Sequence, residues 1–265
     1  MSEELEIKAL KTKILKYKLI ILKDNGECII RKYYSLCKRI LEFEYQRRDL
    51  SLPPDDTLIR EPDEYEGGIK TLNYRGDFKC LFRADFKNFY PSIIKEFDMQ
   101  PSWDKYNIYK LLVDRLINIS NQDLNPDETS KIKHFMAYFC YGFIGYMQSP
   151  FCDRYFASKV AEKGRLILLK TLEQVKKIQP KSRIIMADTD GFVANLSGGN
   201  FGMSYVQEAK RIVEELNNFL NFNYIKLKFK GFYTEGIFNN ISDYNLYNQY
   251  TKEYVRKPFT QPEFY

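Results

Sequence analysis

The sequence predicts an α+β domain in which helices pack against an antiparallel sheet, and three segments carry that expectation. Residues 224–233 (YIKLKFKGFY) alternate, with Ile225, Leu227 and Phe229 on one face and Lys226, Lys228 and Lys230 on the other, the two-residue period of a half-buried strand. Residues 183–196 (RIIMADTDGFVANL) read as strand, tight turn and strand. Between them, Ser204 and Gln207 form a capping box ahead of Val206, Ala209, Val213, Leu216 and Leu220. Apolar residues three and four apart mark an amphipathic helix laid on a sheet.

The remaining elements follow in chain order. A first helix has Glu3, Glu4 and Glu6 at its start and lysines at its end, as the helix dipole prefers. A hairpin is expected next, YKLIIL and ECIIRKYY joined by KDNG, with Asn25-Gly26 as the turn. A short helix spans about Ser35 to Arg48, and SLPPDD (51–56) then breaks regular structure and marks a boundary. FKCLFRADF (78–86) reads as a buried strand. A helix is expected over 103–120, with Asp104 as its cap and Ile108, Leu112, Leu116 and Ile119 on one face. Asn125-Pro126-Asp127-Glu128 opens another that runs to about Tyr141. The short loop between these two makes them an antiparallel hairpin. A long helix from Tyr155 to Ile178 stops before Pro180.

Composition narrows the function. The chain has 265 residues, 44% of them hydrophobic, which is enough for a real core and excludes a disordered tail, a collagenous repeat or a small disulfide scaffold. Its five cysteines include no CxxC pair, so they read as free thiols in a reducing cytosol, without a zinc site. No apolar run is long enough for a membrane span, and the expected location is cytoplasmic. His134 is the single histidine, so multi-histidine metal sites are excluded. The formal charge of +6 suits an anionic partner such as nucleic acid, and it suits equally a composition set by A/T-rich codons.

The carboxylates are the strongest chemical signal. Asp188 and Asp190 flank Thr189 at the hairpin turn, and Asp85 ends an earlier strand. If those strands are adjacent, three carboxylates meet at one sheet edge. Such oxygen donors suit Mg²⁺, which keeps several waters and takes further ligands from substrate phosphates. Two such ions serve a phosphoryl displacement. Taken alone, Asp-Thr-Asp-Gly is an ordinary solvated turn, and Val193 at the position that needs glycine rules out an EF-hand.

In context the sequence resembles the family B DNA polymerases from about Tyr65 to Tyr254. ADFKNFYPSII (84–94) is similar to their first carboxylate motif, and MADTDGF (186–192) to their Tyr-x-Asp-Thr-Asp-Ser. Tyr141-Gly142 closes a segment similar to their fingers motif, and Gly164-Arg165 falls where many members carry that pair. Tyr65-Glu66-Gly67-Gly68 matches the Tyr-x-Gly-Gly found before the first carboxylate motif, especially in protein-primed members. Each motif is short; their shared order carries the resemblance.

The resemblance implies a right-hand polymerase palm plus a two-helix fingers hairpin. Residues 1–56 would be an N-terminal appendage, 57–102 the first part of the palm, 103–142 the fingers, and 143–265 the second part of the palm. Exonuclease and thumb would be absent from this chain. It implies Asp85, Asp188 and Asp190 as catalytic ligands of two Mg²⁺ (or Mn²⁺) ions, with the Phe86 carbonyl completing a site. Lys87, Asn88, Phe89 and Tyr90 would adjoin the nucleotide, with Tyr90 under the sugar. Lys131, His134, Tyr138 and Tyr141 fall on one helical face, and Arg115 lies beside Lys131 near the hairpin tip. Cations there would clamp a triphosphate, and aromatics would stack on the base.

Tyr65, Gly67, Gly68, Lys226, Lys228, Lys230, Lys252 and Tyr254 would contact primer or template. The three lysines lie ~6.8 Å apart along a strand face, and they also fit a simply solvated face. Three positions depart from the family pattern. His134 stands where the family has its triphosphate-binding Lys (with Lys131 or Lys133 available instead), Asn88 where it has Ser, and Gly191 where Ser follows Asp-Thr-Asp. The expected function is template-directed transfer of a dNTP to a primer 3′-hydroxyl, without proofreading, in a protein of viral or mobile-element type. The alternatives are a reverse transcriptase-like or RNA-synthesising palm, and a catalytically impaired nucleic-acid- or partner-binding module. Expected partners are primer-template and dNTP, with room for a second chain supplying thumb or exonuclease, or for a protein primer.

Overall fold

The computed structural model describes residues 3–16, 28–54, 58, 67–196 and 204–257. The chain begins with α1 (Glu3–Lys16), α2 (Cys28–Gln46), β1 (Lys70–Leu72), β2 (Gly76–Phe86) and α3 (Phe89–Glu96). Next come α4 (Ile108–Ser120), α5 (Pro126–Ala137), a π-helical turn (Tyr138–Gly142), α6 (Phe143–Gly145) and α7 (Arg154–Ile178). It ends with β3 (Ile184–Asp188), β4 (Gly191–Asn195), α8 (Tyr205–Leu220), β5 (Leu227–Asn240), β6 (Asp243–Tyr247) and β7 (Tyr254–Lys257). Two compact units result, Met1–Glu66 with Tyr90–Ala161 and Gly67–Phe89 with Glu162–Tyr265.

The second unit holds, among the described residues, a seven-stranded sheet in the order β1-β3-β4-β2-β5-β6-β7, antiparallel throughout. Alternation along β2 divides its side chains between two faces. Phe82, Ala84 and Phe86 are buried on one, where Phe82 meets Phe192 edge-on at 5.7 Å. α8 packs against β2 and β5 through its apolar stripe of Ala209, Ile212, Val213 and Leu216. Its first residue, Tyr205, stacks on Phe232 at 5.6 Å, and the Ser204–Gln207 capping box closes the helix start as expected. Leu81 belongs to a core with Met186, Val193, Tyr233, Tyr244 and Leu246, and Arg83 and Asp85 continue its side of the strand.

The first unit is helical. α1 packs on α4 and α5, and α2 on α4 and the π-helical turn. Its core is aromatic: Tyr109 stacks on Phe139 at 5.2 Å, Phe139 on Phe135 at 5.8 Å, and Trp103 lies 5.2 Å from Phe151. α5 opens with the expected capping box of Asn125 and Glu128, with Pro126 in its first turn. The start of α4 is tied down by the buried Asp104, whose carboxylate accepts the N–H groups of Ile108, Tyr109 and Lys110 at 2.7, 3.1 and 3.2 Å.

Several sequence expectations need correction. The hairpin's Asn25-Gly26 turn lies outside the described residues, and its second strand is helix from Cys28 onward. The reason is periodicity. Tyr33, Leu36, Cys37, Ile40, Leu41 and Tyr45 are buried at helical spacing that outweighs the β-branched Ile29-Ile30 pair. α4 starts at Ile108 rather than 103, because Trp103 is buried with its indole N–H on the Phe151 carbonyl (3.1 Å). The helix expected to reach Tyr141 turns π-helical at Tyr138. β1, α3, β6 and β7 had no counterpart in the sequence reading. Among the described residues four cysteines are free thiols, and no helix is long and apolar enough to cross a membrane.

Candidate active site

The β3–β4 turn and the end of β2 bring three carboxylates to one place. β4 lies between β3 and β2, and Gly191 is the register partner of Asp188 on one side and of Asp85 on the other. At strand spacing this sets the Asp85 and Asp188 backbones ~10 Å apart, across one intervening strand. The turn is fixed by its backbone. The Thr189 N–H donates to the Ile69 carbonyl at 2.6 Å, the Asp190 N–H to the Asp188 carbonyl at 2.5 Å, and the Phe86 N–H to the Asp190 carbonyl at 2.7 Å. Thr189 is held at φ 51°, an uncommon conformation for a β-branched residue that the surrounding bonds enforce.

Gly191 is required by close approach. A Cβ there would overlap Asp85 Oδ1 and come within 2.7 Å of the Ala84 carbonyl oxygen. Gly68 has the same role beside the turn, since its Cβ would meet the Thr189 side chain at 2.6 Å. The preceding carbonyl, of Gly67, accepts from Arg165 Nη1 at 2.8 Å. The Gly-Gly and Gly-Arg motifs therefore meet behind the carboxylate turn. Tyr65 lies outside the described residues.

Asp85, Asp188 and Asp190 line a cavity of about 270 Å³ together with Arg83, Tyr244 and Arg256. Burial among surrounding protein raises the Asp190 carboxyl to about 6, the negative charges of Asp85 and Asp188 add to the rise, and Arg83 opposes it. Arg83 Nε and Nη2 donate to Asp85 Oδ1 and Oδ2 at 3.1 and 2.8 Å. The sequence reading overlooked Arg83, Tyr244 and Arg256. Arg83 had a signal, because residues two apart on a strand share a face; the other two come from strands with no recognised motif.

The donor set suits a hard divalent cation: three carboxylates on one cavity, where burial first and the neighbouring charges of Asp85 and Asp188 second raise Asp190. Among the described residues, however, no three carboxylate, imidazole or thiol groups close into a ready-made metal cluster, and both Asp85 oxygens are held by Arg83. The residues fit the metal in chemistry, and Asp85 would bind it either in place of Arg83 or through a lone pair that Arg83 leaves open.

The residues expected around the nucleotide belong to both compact units. Tyr90 and Tyr141 come together with ring centroids 4.8 Å apart. Lys131 and His134 are on α5, His134 exposed and Lys131 paired to Asp127 at 2.7 Å. Asn88 adopts φ 48°, where Asn is tolerated, in the turn it shares with Lys87, whose N–H donates to the Lys226 carbonyl. Three expectations are corrected. Phe89 is buried and stacked on Phe86 at 4.5 Å. Arg115 is buried, paired with Glu6 and 3.5 Å from Glu44, so its charge is neutralised inside the helical unit. Tyr138 packs on Tyr33 at 5.9 Å, with its hydroxyl buried and unpartnered. The π-helical turn widens the spiral, so Tyr138 and Tyr141 no longer share a face.

Of the basic strand, Lys226, Lys228 and Lys230 are exposed while Ile225 and Leu227 are buried. Lys230 falls at a bulge, since Arg83 pairs with Gly231 and Ala84 with Phe229. Lys252 and Tyr254 are exposed, and the Tyr254 hydroxyl donates to Asn245 at 2.8 Å.

No protein-family model matches the chain. It is 22% identical over 264 residues to a DNA polymerase of Thermococcus gorgonarius, covering 84% of this chain and 34% of that protein. It is 25% identical over 197 residues to the DNA polymerase alpha catalytic subunit of Mus musculus, covering 55% of this chain and 13% of that subunit. The solved family B DNA polymerase of the hyperthermophilic archaeon Pyrobaculum calidifontis superposes with a TM-score of 0.61 over 96% of this chain and 36% of that one, at 16% identity. The chain thus spans about a third of the archaeal relative it matches, and its α+β fold is shared with part of that solved family B polymerase.

Proposed function

We propose that this chain is a palm-and-fingers portion of a family B-type DNA polymerase, transferring a deoxynucleotide from dNTP to a primer 3′-hydroxyl on a DNA template. The observation that supports this most directly is the convergence of Asp85, Asp188 and Asp190 on one cavity, in a chain similar to DNA polymerases over most of its length. Asp85 and Asp190 would hold two Mg²⁺ ions with support from Asp188, and the Phe86 carbonyl is assigned as a further ligand. Bound there, the ions would activate the hydroxyl and neutralise charge on the triphosphate.

The chain's own contribution is positioning. The backbone bonds of Thr189, Asp190 and Phe86 fix two carboxylates relative to the third, which keeps the reaction geometry preorganised. We assign nucleotide contacts to Lys87 and Asn88, and backbone contacts with primer or template to Lys226, Lys228, Lys230, Lys252 and Tyr254. Grip on duplex by such cations is salt-dependent. Primer extension by the purified chain tests the reading. Mg²⁺-dependent incorporation should fall about a thousandfold in Asp85→Asn and Asp190→Asn proteins that remain folded.

A second reading, a catalytically impaired nucleic-acid-binding module, is favoured by the Arg83 hold on Asp85 and by the burial of Arg115. It is the better account if no metal, template or primer supports extension while salt-dependent binding to primer-template DNA persists.

A further inference from the structure

We propose that Arg83 is a positioning residue that holds Asp85 in the metal-free protein and competes with a divalent cation for the same carboxylate. The inference rests on the metal-binding part of the proposed function and assigns a role to a residue outside it. Arg83 and Asp85 are two apart on β2 and therefore share a face. The guanidinium engages the carboxylate as a fork, Nε on Oδ1 at 3.1 Å and Nη2 on Oδ2 at 2.8 Å, so each oxygen already accepts a charged hydrogen bond. The Asp85 side chain is only 15% exposed and that of Arg83 32%, which places the pair in the cavity wall rather than in open solvent. Bidentate pairs of this kind are the strong ones, and they fix the plane of the carboxylate.

A divalent cation needs at least one of those oxygens, with its lone pair directed at the metal. Arg83 and Asp85 line the same cavity as Asp188 and Asp190, so the guanidinium stands where it neutralises one of the three charges that attract the cation. The metal must displace it or bind against it. Asp85 therefore has two partners of the same sign, and every interaction that favours one weakens the other. A brace that merely stiffened β2 would make the opposite prediction, because its loss would loosen the site and weaken metal binding.

The test is Mn²⁺ binding to the full chain, followed by electron paramagnetic resonance at neutral pH, for the wild type, Arg83→Gln, Arg83→Lys, Asp85→Asn and the Arg83→Gln/Asp85→Asn double variant. Arg83→Gln should lower the Mn²⁺ dissociation constant about tenfold. Arg83→Lys keeps the charge but cannot engage both oxygens, so its shift should be smaller and in the same direction; it also supplies the comparison if the Gln variant does not fold. In the Asp85→Asn background the effect of Arg83→Gln should shrink to what its charge exerts on Asp190, since the competition acts mainly through Asp85. An unchanged or raised dissociation constant in both Arg83 variants overturns the competition and leaves the metal site standing. Absence of Mn²⁺ binding in the wild type and in both Arg83 variants removes the metal site and the competition together.

Discussion

Gly191 offers the sharpest perturbation of the carboxylate site. In Gly191→Ala the new methyl would lie 2.7 Å from the Ala84 carbonyl oxygen and overlap Asp85 Oδ1. Ordinary carbon–oxygen contact needs roughly 3.4 Å, so β4 must move from β2 by about 0.7 Å or Asp85 must turn away. Overpacking of this kind costs about 1–3 kcal/mol. Against it stands a gain of about 0.5 kcal/mol, because alanine restricts the unfolded chain more than glycine does. The net expectation is a loss of about 1–2 kcal/mol in urea denaturation. Activity should suffer more than stability, since a misplacement approaching 1 Å costs about a hundredfold in rate. Primer extension by the folded variant measures that loss. The family pattern has Ser at this position, yet Gly191→Ser carries the same Cβ and should behave like Gly191→Ala. Wild-type stability and activity in both variants would refute the steric account and with it the close approach of β2 to the turn.

Other expectations follow from charge and capping. Asp190 ionises near pH 6, above an ordinary aspartate, so the folded state loses stability as pH rises from about 4 to 6 and stays lower above that. The full gap corresponds to about 3 kcal/mol. Asp190 still presents more than a third of its surface, so screening reduces this to about 1 kcal/mol. Asp190→Asn measured in EDTA should therefore gain about 1 kcal/mol relative to wild type at pH 8 and nothing at pH 3.5; a pH-independent difference refutes it. Arg115→Met leaves Glu6 and Glu44 short of a buried cation and should destabilise the helical unit by about 3 kcal/mol, with an unchanged KM for dNTP in the folded fraction; a raised KM would restore the triphosphate role. Asp104→Ala strips three N–H groups at the start of α4 of their acceptor and should cost about 3 kcal/mol in urea, with Asp104→Asn milder; near-neutral denaturation would show that water replaces the cap.

Local signals made much of this legible from sequence. The capping boxes at Asn125 and Ser204, the alternation from Ile225 and the Asp-Thr-Asp turn each declare themselves within a few residues, and each falls in the kind of element expected of it. What stayed hidden depends on distant partners. Arg115 reads as a free cation at a helix end until Glu6, 109 residues away, is brought beside it. Tyr138 reads as one of a helical stripe until the extra residue of the π-helical turn rotates its successor away. α2 was misread for a local reason, two β-branched residues ahead of a strong apolar stripe, and there the longer period won.

The same distinction bears on function. The three carboxylates sit on sheet register and turn backbone, with Asp85 and Asp188 both opposite Gly191, so little besides strand pairing is needed to keep them together. The charges that would handle a triphosphate sit on side chains, and those are redistributed: Arg115 is taken by Glu6, Lys131 by Asp127, and Asp85 itself by Arg83. Backbone placement survives substitution at many positions, whereas a cation's availability changes when one neighbouring acid is gained or lost. On the proposed reading, such a chain would keep the geometry of the reaction, and its rate would depend on how readily those ion pairs open. Raising ionic strength should therefore have two opposed effects on extension, loosening DNA while releasing the exposed Lys131–Asp127 pair. Asp127→Ala separates them, because it removes the second effect and leaves the first.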